Sequence, residues 1–164
     1  MTSPAAPFEV WYEAHHPRLV ATLVLATGDL DTAREAADEA CARALARWAR
    51  VGLMASPEAW TYRVAINIIR RRWRRRALEG RLLRRHPAPT EVPPPGDEAW
   101  ELVRALPPRQ RTAVVLRHVA DLTEADIAKA MGVTRSTVSS TLSAAHRTLA
   151  ELLASERPQE VHRA

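Results

Sequence analysis

The chain has 164 residues, 46% hydrophobic and 26% charged, with 24 Lys and Arg against 19 Asp and Glu and a net charge of +5. That balance excludes a disordered chain, and the length allows one ordinary domain or two small ones. Scarce glycine, abundant alanine and no long alternating β-branched run exclude a β architecture and predict an all-α protein. In chain order, a first helix is predicted from about Phe8 to Ala26, with Trp11, Tyr12, Leu19, Leu23 and Val24 inward and Pro17 kinking or interrupting it. Gly28 and Asp29 mark a turn. A second helix then starts at Asp31 or Thr32 and reaches about Arg50, with Ala33, Ala36, Ala37, Ala40, Ala44, Leu45 and Trp48 on its apolar side. Asp29, Asp31, Glu35, Asp38 and Glu39 make its start acidic, which suits a positive helix N-terminus and also offers a face to a protein partner. Val51 to Ser56 reads as a loop, and Pro57 opens a third helix that runs to about Arg85.

The third helix carries RRRWRRR at 70–76, and ten arginines against one acid, Glu79, between Trp60 and Arg85. At about 100° per residue, Tyr62, Ile66, Ile69 and Trp73 share a core face. Arg63, Asn67, Arg70 and Arg74 share a neighbouring stripe, and Trp60, Val64 and Ile68 a third. Like charges one turn apart repel by about 0.2–0.5 kcal/mol per pair, a cost that a phosphate backbone removes. The plain reading is a solvated charge run; the functional one is a nucleic-acid surface. Trp60 reads first as core packing, and second as a stacking surface for an unpaired base.

The stretch 86–97, HPAPTEVPPPGD, reads as an extended, semi-rigid linker. Helical pattern resumes at about Glu98, breaks at Leu106, Pro107 and Pro108, and continues to about Val119. Residues 122–142, LTEADIAKAMGVTRSTVSSTL, then read as a helix-turn-helix. Thr123 caps its first helix with Asp126 in the capping-box position, Ile127, Ala128 and Met131 point inward, and Gly132 supplies the left-handed turn. Thr134 caps the second helix, which extends to about Leu153 with Val138 and Leu142 inward. Arg135, Ser136, Thr137, Ser139 and Ser140 are left outward, where a recognition helix needs polar side chains; a structural hairpin is the plain alternative. From Ser155 the tail is polar and expected to fray.

Cys41 is the only cysteine and is expected as a buried free thiol, consistent with a reducing cytoplasm. His15 and His16 are adjacent and Cys41 has no partner motif, so no metal site is expected, nor any cofactor or catalytic residue. The start lacks the charged and apolar segments of a signal peptide, and the longest apolar run, 19–26, is too short to span a bilayer.

Taken together, these segments resemble a bacterial sigma factor of the extracytoplasmic-function type. FEVWYEAHHPRLV resembles that family's opening helix, AREAADEACARALARW its polymerase-binding helix, and PEAWTYRVAINIIRRRWRRR its melting and −10-reading helix. LPPRQRTAVVLRHVADLTEADIAKAMGVTRSTVSSTL resembles its −35-reading domain. The resemblance implies a region-2-like domain at 1–85, a linker at 86–97 that threads through polymerase, a region-4-like domain at 98–154 and a tail at 155–164. It implies docking on the clamp helices of the largest subunit of core RNA polymerase through Glu35, Asp38, Glu39 and Arg43, with the flap region met by the second domain. Trp60, Arg63, Asn67, Arg70, Arg71 and Arg74 would hold the unwound −10 strand, a base being flipped into the 51–56 loop. Arg135, Ser136, Thr137, Ser139, Ser140 and Arg147 would meet −35 DNA. The implied function is to direct polymerase to specific promoters and help melt them, in the cytoplasm at the nucleoid, with no membrane insertion and with room for an anti-sigma factor as partner. The family usually carries glutamine where Asp38 stands and basic residues where this chain has Ser139, Ser140 and Thr141, so fewer cationic contacts at −35 follow. Two other readings were weighed: a stand-alone helix-turn-helix regulator on duplex DNA, and a non-DNA adaptor or enzyme. The acidic second helix and the arginine helix argue against the first, and the missing metal, phosphate-loop and nucleophile motifs against an enzyme.

Overall fold

The computed structural model describes residues 6–83 and 98–156, which form eight α-helices and no strand among the described residues. α1 (Phe8–Thr27), α2 (Leu30–Leu45), the single turn α3 (Trp48–Val51) and the long α4 (Pro57–Leu83) come first. α5 (Glu98–Ala105), α6 (Pro108–His118), α7 (Glu124–Met131) and α8 (Arg135–Glu156) follow. The linker predicted at 86–97 lies outside the described residues; of the tail predicted from Ser155, Ser155 and Glu156 still belong to α8 and the remainder lies outside the described residues.

α1 runs unbroken through Pro17, contrary to expectation. Proline removes one N–H from the ladder, but Leu19, Thr22 and Leu23 just beyond it are buried, and their packing holds the helix together. Gly28 ends α1 at φ 73°, with its N–H bonded to the Val24 carbonyl at 2.7 Å. Asp29, read as part of a turn, is the N-cap of α2: its carboxylate accepts from the Thr32 N–H at 3.0 Å and the Thr32 hydroxyl at 2.8 Å. α2 ends at Leu45, earlier than expected, and Leu45 is 53% exposed rather than inward. Ala46 and Arg47 break the helix, and the chain resumes as α3, so that Trp48 turns back against Phe8 and Trp11 and donates to the Ala6 carbonyl at 2.9 Å. Val51, read as the start of a loop, is the buried end of α3.

The alanines of α2 explain how closely it lies on its neighbours. Ala33, Ala36, Ala37, Ala40 and Ala44 are all fully buried, and α2 packs between α1 and α4 with mostly methyl groups on its buried side. Cys41 belongs to the same face, 2% exposed, and burial with nearby Asp38 pushes its thiol up to about 11. Inside this group the Thr22 hydroxyl donates to the Arg18 carbonyl at 2.8 Å, so the Tyr62 hydroxyl 3.0 Å away must be the donor to it.

α5 to α8 pack on one another, and α6, with Val114, Val115 and Leu116 buried, packs against α8. The two groups are not apart. α1 lies along α6, and α4 lies along α7. The buried apolar residues form one continuous cluster that runs from Trp11 and Leu23 through Ile66 and Ile69 to Ile127 and Val138.

Candidate nucleic-acid and partner interfaces

The helix-turn-helix is built locally, as its residues predict. The Thr123 hydroxyl accepts from the Asp126 N–H at 3.2 Å. Asp126 answers by accepting from that hydroxyl at 2.7 Å, not from the Thr123 backbone N–H as a full capping box would have it. Ile127 and Ala128 are buried, Met131 is partly so, and Gly132 adopts φ 64° at the end of α7. Thr134 caps α8, accepting from the Thr137 N–H at 3.2 Å, and Val138 and Leu142 are buried. Arg135, Ser136, Thr137, Ser139, Ser140 and Arg147 are all exposed. Several of their polar atoms are already engaged. Arg135 pairs with Glu124 at 3.6 Å, the Ser140 hydroxyl donates to the Thr137 carbonyl at 3.0 Å, and the Thr137 hydroxyl shares a hydrogen bond with Thr134 at 2.8 Å.

α4 sorts its arginines onto two flanks. Arg72 faces α2, where it forms an ion pair with Glu35 and lies 3.9 Å from Glu39, and Arg76 reaches Asp29 at 4.0 Å. Glu39 also pairs with Arg43 on its own helix, and Asp38 holds His16 at 2.7 Å. Of the four residues expected to dock on polymerase, Glu35, Glu39 and Arg43 thus lie toward α4, tied into ion pairs with Arg72 or with each other, while Asp38 lies toward α1 at His16. Arg71 falls on this flank too, around a shallow cavity of about 300 Å³ with Glu39, Arg43 and Arg75. The structure therefore separates Arg71 from Arg70 and Arg74, with which the sequence grouped it.

The other flank faces α6, α7 and α8. Asn67 and Arg70 are half-buried there and Arg74 is exposed, with the Arg70 guanidinium 3.5 Å from Asn67 Oδ1. Arg70 lies under the turn of the helix-turn-helix: a Cβ built on Gly132 would collide with its guanidinium. Trp73, expected in the core, is 38% exposed. It borders a cavity of about 320 Å³ that Arg70, Arg74, Ile66 and Ile69 share with Arg109 of α6 and with Val133, Thr137 and Val138 of the helix-turn-helix. Burial first, then the positive charges of Arg74 and Arg109, lower the pKa of Arg70. Trp60 and Arg63, a turn or two earlier on α4, are half-buried. On the far side of the molecule a second junction forms, where Arg18 donates to the Val119 carbonyl at 2.8 Å. Beside it Glu58 accepts from Trp11 Nε1 at 2.8 Å and lies 3.0 Å from His15.

Sequence reading missed Arg72, Arg109 and Arg18. Arg72 could have been found from its place on the helix wheel opposite Arg70 and Arg74. Nothing in the sequence pairs Arg109 with Arg70, or Arg18 with Val119, because those meetings arise only when the two helical groups pack. Among the described residues no cluster of three His, Cys, Asp or Glu could hold a metal, and no helix is long and apolar enough to cross a membrane.

Residues 11–79 match the family described as Sigma-70 region 2, and residues 96–149 the family described as Sigma-70, region 4. The chain is 32% identical to the RNA polymerase sigma-E factor of Streptomyces coelicolor, over 88% of this chain and 83% of that one. It is 33% identical to the protein of the same name from Streptomyces antibioticus, over 73% and 68%. In fold it is similar to the sigma factor RpoE of Bartonella quintana, solved with the anti-sigma factor NepR, at a TM-score of 0.76 and 20% identity over 92% of this chain and 98% of that one. It is also similar to CnrH, solved with the cytosolic domain of CnrY, at a TM-score of 0.62 and 17% identity over 92% and 89%.

Proposed function

The chain belongs to the RNA polymerase sigma factors, with a region 2 and a region 4 on one polypeptide, and on that premise we propose how it divides the work. It directs core RNA polymerase to promoters and serves transcription initiation. The first unit, residues 1–85, takes the polymerase and the −10 element. The second, residues 98–154, takes the −35 element, and residues 86–97 connect them. On α2, Glu35, Asp38, Glu39 and Arg43 dock on the clamp helices of the largest subunit. Trp60, Arg63, Asn67, Arg70 and Arg74 hold the −10 strand, Arg71 dropping out of that set because it lies on the α2 flank, and Arg135, Ser136, Thr137, Ser139, Ser140 and Arg147 meet the −35 major groove. The flap region of the polymerase receives the second unit. The factor acts in the cytoplasm as an initiation factor with no catalytic chemistry of its own, and an anti-sigma factor is a further partner, as NepR is for the sigma factor RpoE whose fold it shares.

The observation that carries this division is the sorting of charge on α4: one flank neutralised by α2, the other offering Arg70 and Arg74 without a carboxylate partner among the described residues. A basic flank of that kind suits phosphates, while the mainly neutral first turn of α8 suits base edges. In vitro transcription with core polymerase on a genomic library, followed by mapping of start sites, tests the reading. Starts must cluster downstream of one recurring pair of elements. Tight, specific footprints of the chain alone on duplex DNA would instead make it a stand-alone regulator.

A further inference from the structure

Three arginines converge at the cavity between the two units. Arg70 and Arg74 come from α4 and Arg109 from α6, and no carboxylate lines the space. Elsewhere on α4 the pattern is the reverse, since Arg72 and Arg76 have acidic partners on or beside α2. Bringing like charges together and half-burying one of them costs free energy. Among the described residues the structure offers no counter-charge to offset it: the hydrogen bond recorded for Arg70 is to Asn67, and Arg74 and Arg109 form no ion pair. The rest of the wall is mainly apolar, made by Ile66, Ile69 and Trp73 of α4 and by Val133 and Val138 of the helix-turn-helix, with four threonines, Thr137 and Thr141 among them, adding hydroxyls.

We infer that this cavity is a binding site for a small amphipathic anion, with its acid group among Arg70, Arg74 and Arg109 and its apolar body against Ile66, Ile69 and Val138. Size selects the class. The volume of about 320 Å³ lies at the small end of ligand pockets and corresponds to about eleven to thirteen heavy atoms at roughly 25–30 Å³ each. A medium-chain carboxylate fits; a nucleotide, with more than about twenty heavy atoms, is too large, and a protein helix about 10 Å across is too wide. Both units contribute to the site, so the ligand binds only the arrangement in which α4 lies on α7, and it stabilises that arrangement by mass action. The binding claim does not depend on the role proposed for Arg70 and Arg74 at the −10 element.

Isotope-labelled full chain is titrated with decanoate below its micelle concentration. One saturable site is expected, with amide shifts concentrated at Ile66, Ile69, Val133 and Thr141 and quenching of Trp fluorescence. Decanol, which lacks the charge, and acetate, which lacks the chain, bind at least about tenfold more weakly, the size of one charge-assisted contact. Arg109→Ala weakens decanoate about tenfold and Arg109→Lys less, the conservative variant guarding against a folding defect. Non-saturating shifts spread over exposed Val10, Leu45 and Leu78, equal affinity for decanol, or unchanged affinity in Arg109→Ala would overturn the assignment.

Discussion

Gly132 is asked to do two things at once. Its φ of 64° is one that side-chain-bearing residues avoid, and its open Cα face admits the Arg70 guanidinium. Gly28 provides the control, since it has φ 73° and nothing within 4 Å of a built Cβ. Gly28→Ala should therefore lose only the backbone term, about 1 kcal/mol. Gly132→Ala should lose the same backbone term and turn the flexible end of Arg70 aside at little cost, so the two urea midpoints should fall by similar amounts. A much larger loss at Gly132 would mean that the Arg70 guanidinium is held rigidly. The Thr22–Tyr62 bond is a second residue-scale test. With the Thr22 hydrogen committed to the Arg18 carbonyl, Tyr62→Phe removes the bond without leaving a donor stranded, so about 0.5–1.5 kcal/mol should be lost.

At the scale of the element, α2 depends on its cap. Burial alone would raise the Asp29 carboxyl, but hydrogen bonds from the Thr32 N–H and hydroxyl, the Asp31 N–H and the nearby Arg76 bring its pKa below the ordinary 3.8. A depressed folded pKa means stability that is present above the unfolded value and lost as pH falls through the folded one. Asp29→Ala should thus cost about 1 kcal/mol near neutral pH. The gap from the parent chain should narrow as pH falls below 3.8, read by denaturation at several pH values. For α4, the two flanks predict separable phenotypes. Arg70→Ala with Arg74→Ala should abolish promoter opening, read by permanganate reactivity of the melted strand, while polymerase binding is kept. Glu35→Arg with Glu39→Arg should do the opposite, weakening the polymerase complex at least tenfold in a binding titration. Loss of both functions in both variants would deny the division of labour along this helix.

The whole molecule is closed. Arg70 and Thr137 line one cavity, yet elements named −10 and −35 lie roughly 25 base pairs apart, about 85 Å along B-form DNA. On the proposed assignment of α4 to −10 and α8 to −35, both cannot be engaged while α4 covers α7, so the units are predicted to part when polymerase and promoter are bound. Dyes at Arg34→Cys and Ser143→Cys, both on exposed positions, should show high energy transfer in the free chain and little in the promoter complex. Native Cys41 does not interfere, because burial and Asp38 push its thiol up to about 11 and leave it protonated at neutral pH. Energy transfer that stays high in the open complex would contradict the closed free state as the one that must be undone. The contacts that close the molecule are apolar within and polar at the edges, Arg18 to Val119 among the latter.

The sequence by itself determined the all-α class and the helix-turn-helix with its cap, its left-handed glycine and its buried Ile127, Val138 and Leu142. These follow from period and local capping, in which each residue's partner lies within a few positions. It also placed the acidic face of α2 and the arginine stripes of α4, because a helix maps spacing onto direction. The break at Leu45 and the passage of α1 through Pro17 were not legible, since each depends on which distant surface the backbone packs against; the cap role of Asp29 is local, a bond to Thr32 three positions on, and was within reach of the sequence, which offered Asp31 or Thr32 as the helix start instead. Only the tertiary structure decided that Arg72 is neutralised by α2 and that Trp73 leaves the core. The same holds for Arg70, which lies beneath Gly132 beside Arg109. Those outcomes come from the docking of two helical groups on one apolar cluster, an interaction between residues far apart in the chain that no local pattern encodes.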